Sequence, residues 1–223
     1  MAKHMARDLE RLQRSVLRMA GTVEDAIFSA TNALHDRDPA LAAKVIAGDA
    51  EIDRFENDVQ EECLKILALH QPVAVDLRRV STVLLITTDL ERMGDLAVAI
   101  AERAQTVRCP PCPEVLDRMR QMTTRALTMV RTSLDAFVRL DAAAARAVIR
   151  MDDEVDGDND AIIQDLLLDM KRGPDRIEAG ISLFSAVRHI ERIADHATNI
   201  AEVVIYLIQG EQIRHRPEAL QRG

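Results

Sequence analysis

The sequence predicts an all-α fold made of two tandem, pseudo-symmetric three-helix bundles, six long helices in all. Three observations predict it. Ala, Leu, Ile, Val, Met, Arg, Glu and Asp dominate, and aromatics are only 2% with no Trp, too few for the core of a β-sandwich or barrel. Apolar residues recur at helical spacing over stretches longer than about 25 residues with no strand signal between them. The pattern of caps and breakers then occurs twice along the chain, the signature of an internal repeat.

The first helix, from about residue 7 to 35, carries its apolar stripe on Leu9, Leu12, Val16, Leu17, Met19, Val23, Ala26, Ile27, Ala30 and Leu34. Asp38 is placed to cap the second helix and Pro39 suits its first position. That helix runs to about Leu69, where His70-Gln71-Pro72 breaks it. The third runs from about Val73 to Val107. Arg108-Cys109-Pro110-Pro111-Cys112-Pro113 reads as a linker. The fourth helix covers about Glu114 to Leu140, Asp141 caps the fifth, which ends near Lys171, and the sixth follows Gly173-Pro174 and stops at Gly210. The repeats are therefore residues 1–108 and 114–223, with 109–113 between them. Short connections make consecutive helices antiparallel neighbours.

The chain has 223 residues, 48% of them hydrophobic, enough for a substantial core. Its net charge of −8 argues against a nucleic-acid partner and favours attraction of cations. No apolar run is long enough to span a bilayer, and the basic start has no apolar segment behind it, so a signal peptide is not expected. Three Cys, an odd number, suit a reducing cytoplasm.

The chemistry lies in paired acids. Asp89-Leu90-Glu91-Arg92-Met93-Gly94-Asp95 returns in the second half as His189-Ile190-Glu191-Arg192-Ile193-Ala194-Asp195. Each holds Glu-x-x-x-Asp, two carboxylates on one helix face. The preceding helices carry Asp49 with Asp53, and Asp152 with Asp156. Both pairs of the first half lie roughly 20 residues from the turn at Pro72, hence about 30 Å from it at 1.5 Å per residue. The second half repeats this around Gly173-Pro174. Counting about 100° per residue extends the stripes to Glu56 and Glu102 in the first half, and to Asn159, Asn199 and Glu202 in the second. Four carboxylates at one level raise one another's pKa or take up cations. Nearly all donors are oxygen, which suits Mg, Ca, Mn, or iron in a carboxylate-rich cluster. The competing reading is that Arg54, Arg92 and Arg192 neutralise the acids as surface ion pairs. Gly94 and Ala194, small residues inside the motifs, suggest close helix approach.

Other features carry less. Cys109-x-x-Cys112 has redox or zinc spacing but stands alone among prolines. Cys63 reads as a packing residue, His70 as a helix-end residue, and His196 as a possible orienting group or further ligand. There is no glycine-rich phosphate loop, no Ser-His-Asp arrangement and no His-Glu-x-x-His.

Leu69-His70-Gln71-Pro72-Val73-Ala74-Val75-Asp76-Leu77-Arg78, the two Glu-Arg-x-x-Asp motifs, Gly48-Asp49 and Asp152-x-x-Val155-Asp156 together resemble the PhoU phosphate-uptake regulators. The resemblance runs from about residue 7 to 210. It implies a non-enzymatic, cytoplasmic negative regulator of phosphate uptake. Such a protein couples the ATPase subunit of the phosphate ABC transporter to a sensor histidine kinase, with a homodimer as the expected assembly. It also implies multinuclear clusters of iron or zinc on Asp49, Asp53, Glu91 and Asp95, and on Asp152, Asp156, Glu191 and Asp195. The alternative class is a carboxylate-bridged metalloenzyme of the helical-bundle type. It lacks the Glu-x-x-His pair that diiron bundles normally supply, since Glu191 and His196 are five apart.

Overall fold

Long helices account for nearly all of the computed structural model, which describes residues 2–107 and 113–210. They are α1 (Ala2–Asp36), α2 (Pro39–His70), α3 (Ala74–Thr106), α4 (Pro113–Arg139), α5 (Ala142–Met170) and α6 (Ile177–Gln209), with a 3₁₀ turn at Pro174–Arg176 leading into α6. No strand occurs among the described residues. The Cys109–Cys112 pair and the tail from residue 211 lie outside them.

The repeated caps form as the sequence implies, and in matching geometry. Asp38 Oδ1 accepts from the N–H groups of Ala40 and Leu41 at 2.9 and 3.0 Å, and Asp141 Oδ1 from those of Ala143 and Ala144 at the same distances. The residue before each cap, Arg37 and Leu140, is left-handed with φ of 53°. The Asp38 and Asp141 N–H groups then reach back to Ala33 O and Ala136 O, closing the preceding helix as a Schellman-type stop. At the end of α2, Gln71 takes the left-handed position and its N–H bonds to Leu67 O.

The predicted stripe of α1 is buried at Leu9, Leu12, Val16, Met19, Val23, Ile27, Ala30 and Leu34, with Ala26 partly so. Leu17 is the exception at 39% exposed, because it sits about 100° around the helix from Val16.

Each half packs α1 on α2 and α3, or α4 on α5 and α6. The halves are also fused. α3 packs on α6 and α1 on α4, and the buried side chains of both form one hydrophobic cluster. Two observations show that α3 and α6 run antiparallel: Asp89 meets His196, and the Arg78 guanidinium lies against Gly210 at the far end of α6. α1 and α4 join through the buried hydroxyls of Thr31 and Thr123 at 3.3 Å and an Arg131–Glu24 ion pair. Four inner helices thus make the core, and α2 and α5 flank it on the outside. The acid-bearing helices of the sequence motif, α3 and α6, are central, whereas their acid-bearing partners are peripheral.

Candidate carboxylate sites

The register of α2 on α3 follows from the turn at Pro72. Ile52 of α2 faces Gly94 of α3, where a Cβ on the glycine would lie 2.9 Å from Ile52 Cδ1 and 3.2 Å from Cγ2. Glycine is therefore what allows the two backbones to approach at the centre of the motif. The equivalent positions in the second half are Val155 and Ala194, both buried. The second half has one carbon more on the central helix and one fewer on the outer one.

This approach brings the acids of the first half together. Asp49 is held above the usual carboxylate range, first by burial, then by the charges of Asp53 and Asp95. Glu91 is raised by burial, then by Asp95, Glu56 and Asp53. The cross-helix pairs Asp49–Asp95 and Asp53–Glu91 are those required by an antiparallel hairpin centred on Pro72. Glu56 joins the group.

The second half repeats the arrangement. Asp152 is pushed up to about 6, by burial first, then by Asp195 and Asp156, with the Thr198 hydroxyl beside it pulling the other way. Asp195 is raised by burial and by Asp156. Glu191 is raised by burial, while Arg188 opposes and Asp195 and Asp156 add to the rise. Asn159, in the place of Glu56, is 3% exposed, and its buried Oδ1 has no hydrogen-bond partner.

Arg188 was not singled out by the sequence, because its equivalent in the first half is Thr88. Its Nη1 donates to Glu191 Oε1 at 2.7 Å, so this arginine, and not Arg192, pairs with the second-half acid. Arg54 pairs with Glu51 at 3.7 Å, off the candidate site. Thr198 was also missed. Its signal was a polar residue where the first half has Val98.

Three stripe residues sit elsewhere. Glu102 acts on His189 of α6, across the interface between the halves, and not on Glu91 or Asp95. It shares their face but lies three turns, about 16 Å, farther along α3. Asn199 Nδ2 donates to Asp89 Oδ1 at 3.4 Å, placing it on the α3–α6 interface, and Glu202 is partly buried farther along α6. His196 also faces α3, with Nδ1 2.8 Å from Asp89 Oδ1. It braces the two halves and does not point along the acid row.

The donor set suits a hard or borderline cation: carboxylates that destabilise one another while charged, and one orphaned amide oxygen. The acids surround a common groove without closing on one point. Among the described residues no three Asp, Glu, His or Cys side chains are arranged to hold an ion. Asp53, Asp95, Asp156 and Asp195 are exposed, so holding one requires side-chain rotation at the surface and no movement of the core.

The fold and these rows define the class first: a duplicated, all-helical protein with a carboxylate groove in each half. The chain belongs to the PhoU family. The PhoU domain matches residues 16–104 and again 119–204. The chain is 39% identical over 209 residues to the phosphate-specific transport system accessory protein PhoU homolog of Pseudomonas aeruginosa, covering 93% of this chain and 86% of that one. The crystal structure of PhoU from Pseudomonas aeruginosa superposes with a TM-score of 0.85 at 37% identity, covering 92% of this chain and 99% of that one. The phosphate transport system regulatory protein PhoU from Streptococcus pneumoniae superposes with a TM-score of 0.87 at 29% identity, covering 93% and 98%.

Proposed function

We propose that this chain is a regulator of phosphate uptake that acts by contact. It represses the phosphate-starvation response by joining the ATPase subunit of a phosphate ABC transporter to a sensor histidine kinase. The observation that carries the reading is the match of both halves to the PhoU domain, at high coverage of relatives named as accessory or regulatory proteins of phosphate transport. Those names fit a non-enzymatic role and do not favour the metalloenzyme alternative. No helix of the described residues is long and apolar enough to cross a membrane, so docking on cytoplasmic faces of membrane partners is the mode that fits. A net charge of −8 opposes spontaneous binding to anionic lipid, which makes the partner proteins the source of any membrane association.

In this reading Asp49, Asp53, Glu56, Glu91 and Asp95 hold metal in one groove, and Asp152, Asp156, Glu191 and Asp195 in the other, iron or zinc being the family expectation. A bound cation would neutralise mutually repelling carboxylates and tie each outer helix to its central one. In the second half Arg188 already neutralises Glu191, and Asn159 brings no charge, so that groove takes up less positive charge.

The test is deletion of the gene in phosphate-replete cells, read by a phosphate-starvation reporter. Derepression is expected, and normal repression in the deletion strain refutes the regulatory role.

A further inference from the structure

The niches around Asp89 and His189 occupy equivalent places on α3 and α6, yet their chemistry is opposite. Asp89 is a carboxylate met by donors, His196 Nδ1 at 2.8 Å and Asn199 Nδ2 at 3.4 Å. His189 has no counter-ion of that kind. The charges that act on it are Arg103 of α3 and Arg192, one turn along α6, with Glu102 the one carboxylate. Among the described residues neither guanidinium is in an ion pair, whereas the nearby Arg188 is tied to Glu191.

Two donors in this niche are left over. Arg103 Nε and His189 Nδ1 are both buried without a hydrogen-bond partner. Each such group costs about 1–3 kcal/mol when left unsatisfied, and native proteins seldom leave neighbours in that state. His189 Nε2 lies 3.2 Å from Ser185 Oγ. With the serine hydroxyl donating there, Nδ1 carries the ring proton and is a donor. Two permanently charged guanidinium groups and an imidazole N–H on one spot are the donor set of an oxyanion site.

We infer that the niche formed by Arg103, His189 and Arg192 binds inorganic phosphate. Glu102 on its rim decides between oxyanions. Near neutral pH phosphate keeps a hydroxyl that can donate to a carboxylate, whereas sulfate has no proton and meets only repulsion. A site that adds one acceptor to a set of donors therefore selects phosphate. The inference deepens the proposed regulatory role by giving this chain a direct phosphate signal at the junction of its halves. The niche lies away from both carboxylate grooves, so it requires no metal.

The experiment is calorimetric titration of the chelator-treated full-length chain with sodium phosphate at constant ionic strength, with sodium sulfate in parallel. The variants are Arg103→Val, which installs the residue found at the equivalent position of α6, Arg192→Ala, and Glu102→Gln. Arg92→Ala, the equivalent arginine beside the Asp89 niche, is the control. Expected results are saturable phosphate binding, at least tenfold weaker in Arg103→Val and in Arg192→Ala and unchanged in Arg92→Ala. Sulfate should bind at least tenfold more weakly than phosphate, and Glu102→Gln should erase that preference. No phosphate binding at millimolar concentration overturns the site, as does binding that survives Arg192→Ala, which changes an exposed side chain and leaves the fold intact. Sulfate binding as tight as phosphate overturns the assignment to phosphate. A failed titration leaves the deletion phenotype standing, and a failed deletion phenotype leaves the titration standing.

Discussion

Replacing Gly94 with Ala places a methyl group 2.9 Å from Ile52 Cδ1 and 3.2 Å from Ile52 Cγ2. The first contact can be relieved by rotating the end of the isoleucine. The second cannot, because a β-branched side chain in a helix has one strongly preferred χ1. Overpacking of this kind costs about 1–3 kcal/mol, against which Ala gains about 1 kcal/mol of helix propensity over Gly. Gly94→Ala should therefore destabilise by about 0–2 kcal/mol. Ile52→Val alone removes Cδ1 from a side chain only 2% exposed, at a cost of about 0.5–1.5 kcal/mol. In the double variant the new methyl occupies the space vacated by Cδ1, which is the combination the second half carries as Ala194 with Val155. The double variant should lie within about 1 kcal/mol of the parent, with a favourable coupling of about 1–2 kcal/mol, inside the range seen for residues in contact. Urea unfolding of the four proteins of the cycle measures it. Additivity within about 0.3–0.5 kcal/mol, the behaviour of independent sites, refutes the claim that this contact sets the spacing of α2 and α3.

The remaining predictions concern caps, turns and charge. Asp38→Ala and Asp141→Ala should each lower stability by about 1 kcal/mol in chemical denaturation, since each frees two N–H groups at a helix start. Leu140→Gly should raise stability by about 1 kcal/mol, because φ of 53° is unfavourable for leucine and free for glycine, and the side chain is 45% exposed. Asp152, held near 6 in the folded chain against an ordinary 3.8, keeps its proton more tightly when folded. Metal-free protein should therefore lose stability as pH rises from about 4 through about 6, and thermal melts of Asp152→Asn should show a shallower loss. Asp95→Asn with Asp195→Asn should lower the metal content of protein purified without chelator, measured by elemental analysis, and should weaken repression in cells. Unchanged metal content would remove these acids from the proposed clusters.

The elements were legible because their signals are local. Asp38, Asp141, Gly173-Pro174 and Gly210 act on the backbone within a few residues, so helix ends could be placed from neighbours alone. The meeting of Asp49 with Asp95, and of Asp152 with Asp195, was also legible, since two antiparallel helices joined by a short turn have their register set by distance from that turn. Glu102 shows where counting fails. Angular position along a helix says which way a side chain faces but not which neighbour lies at its own height. Asn199 and His196 fail for a related reason, as their side of α6 is taken by α3 of the other half.

By itself, then, the sequence determined six helices, their ends, their pairing within each half and the level of the acid rows, all consequences of backbone preferences and short connections. Only the tertiary structure decided how the halves join. That junction places α3 on α6 and α1 on α4, turns His196 and Asn199 toward Asp89, and sets Arg103 and Arg192 against His189. The packing of one amphipathic surface on another depends on the shape of both over their whole length, and no local pattern in the chain encodes it.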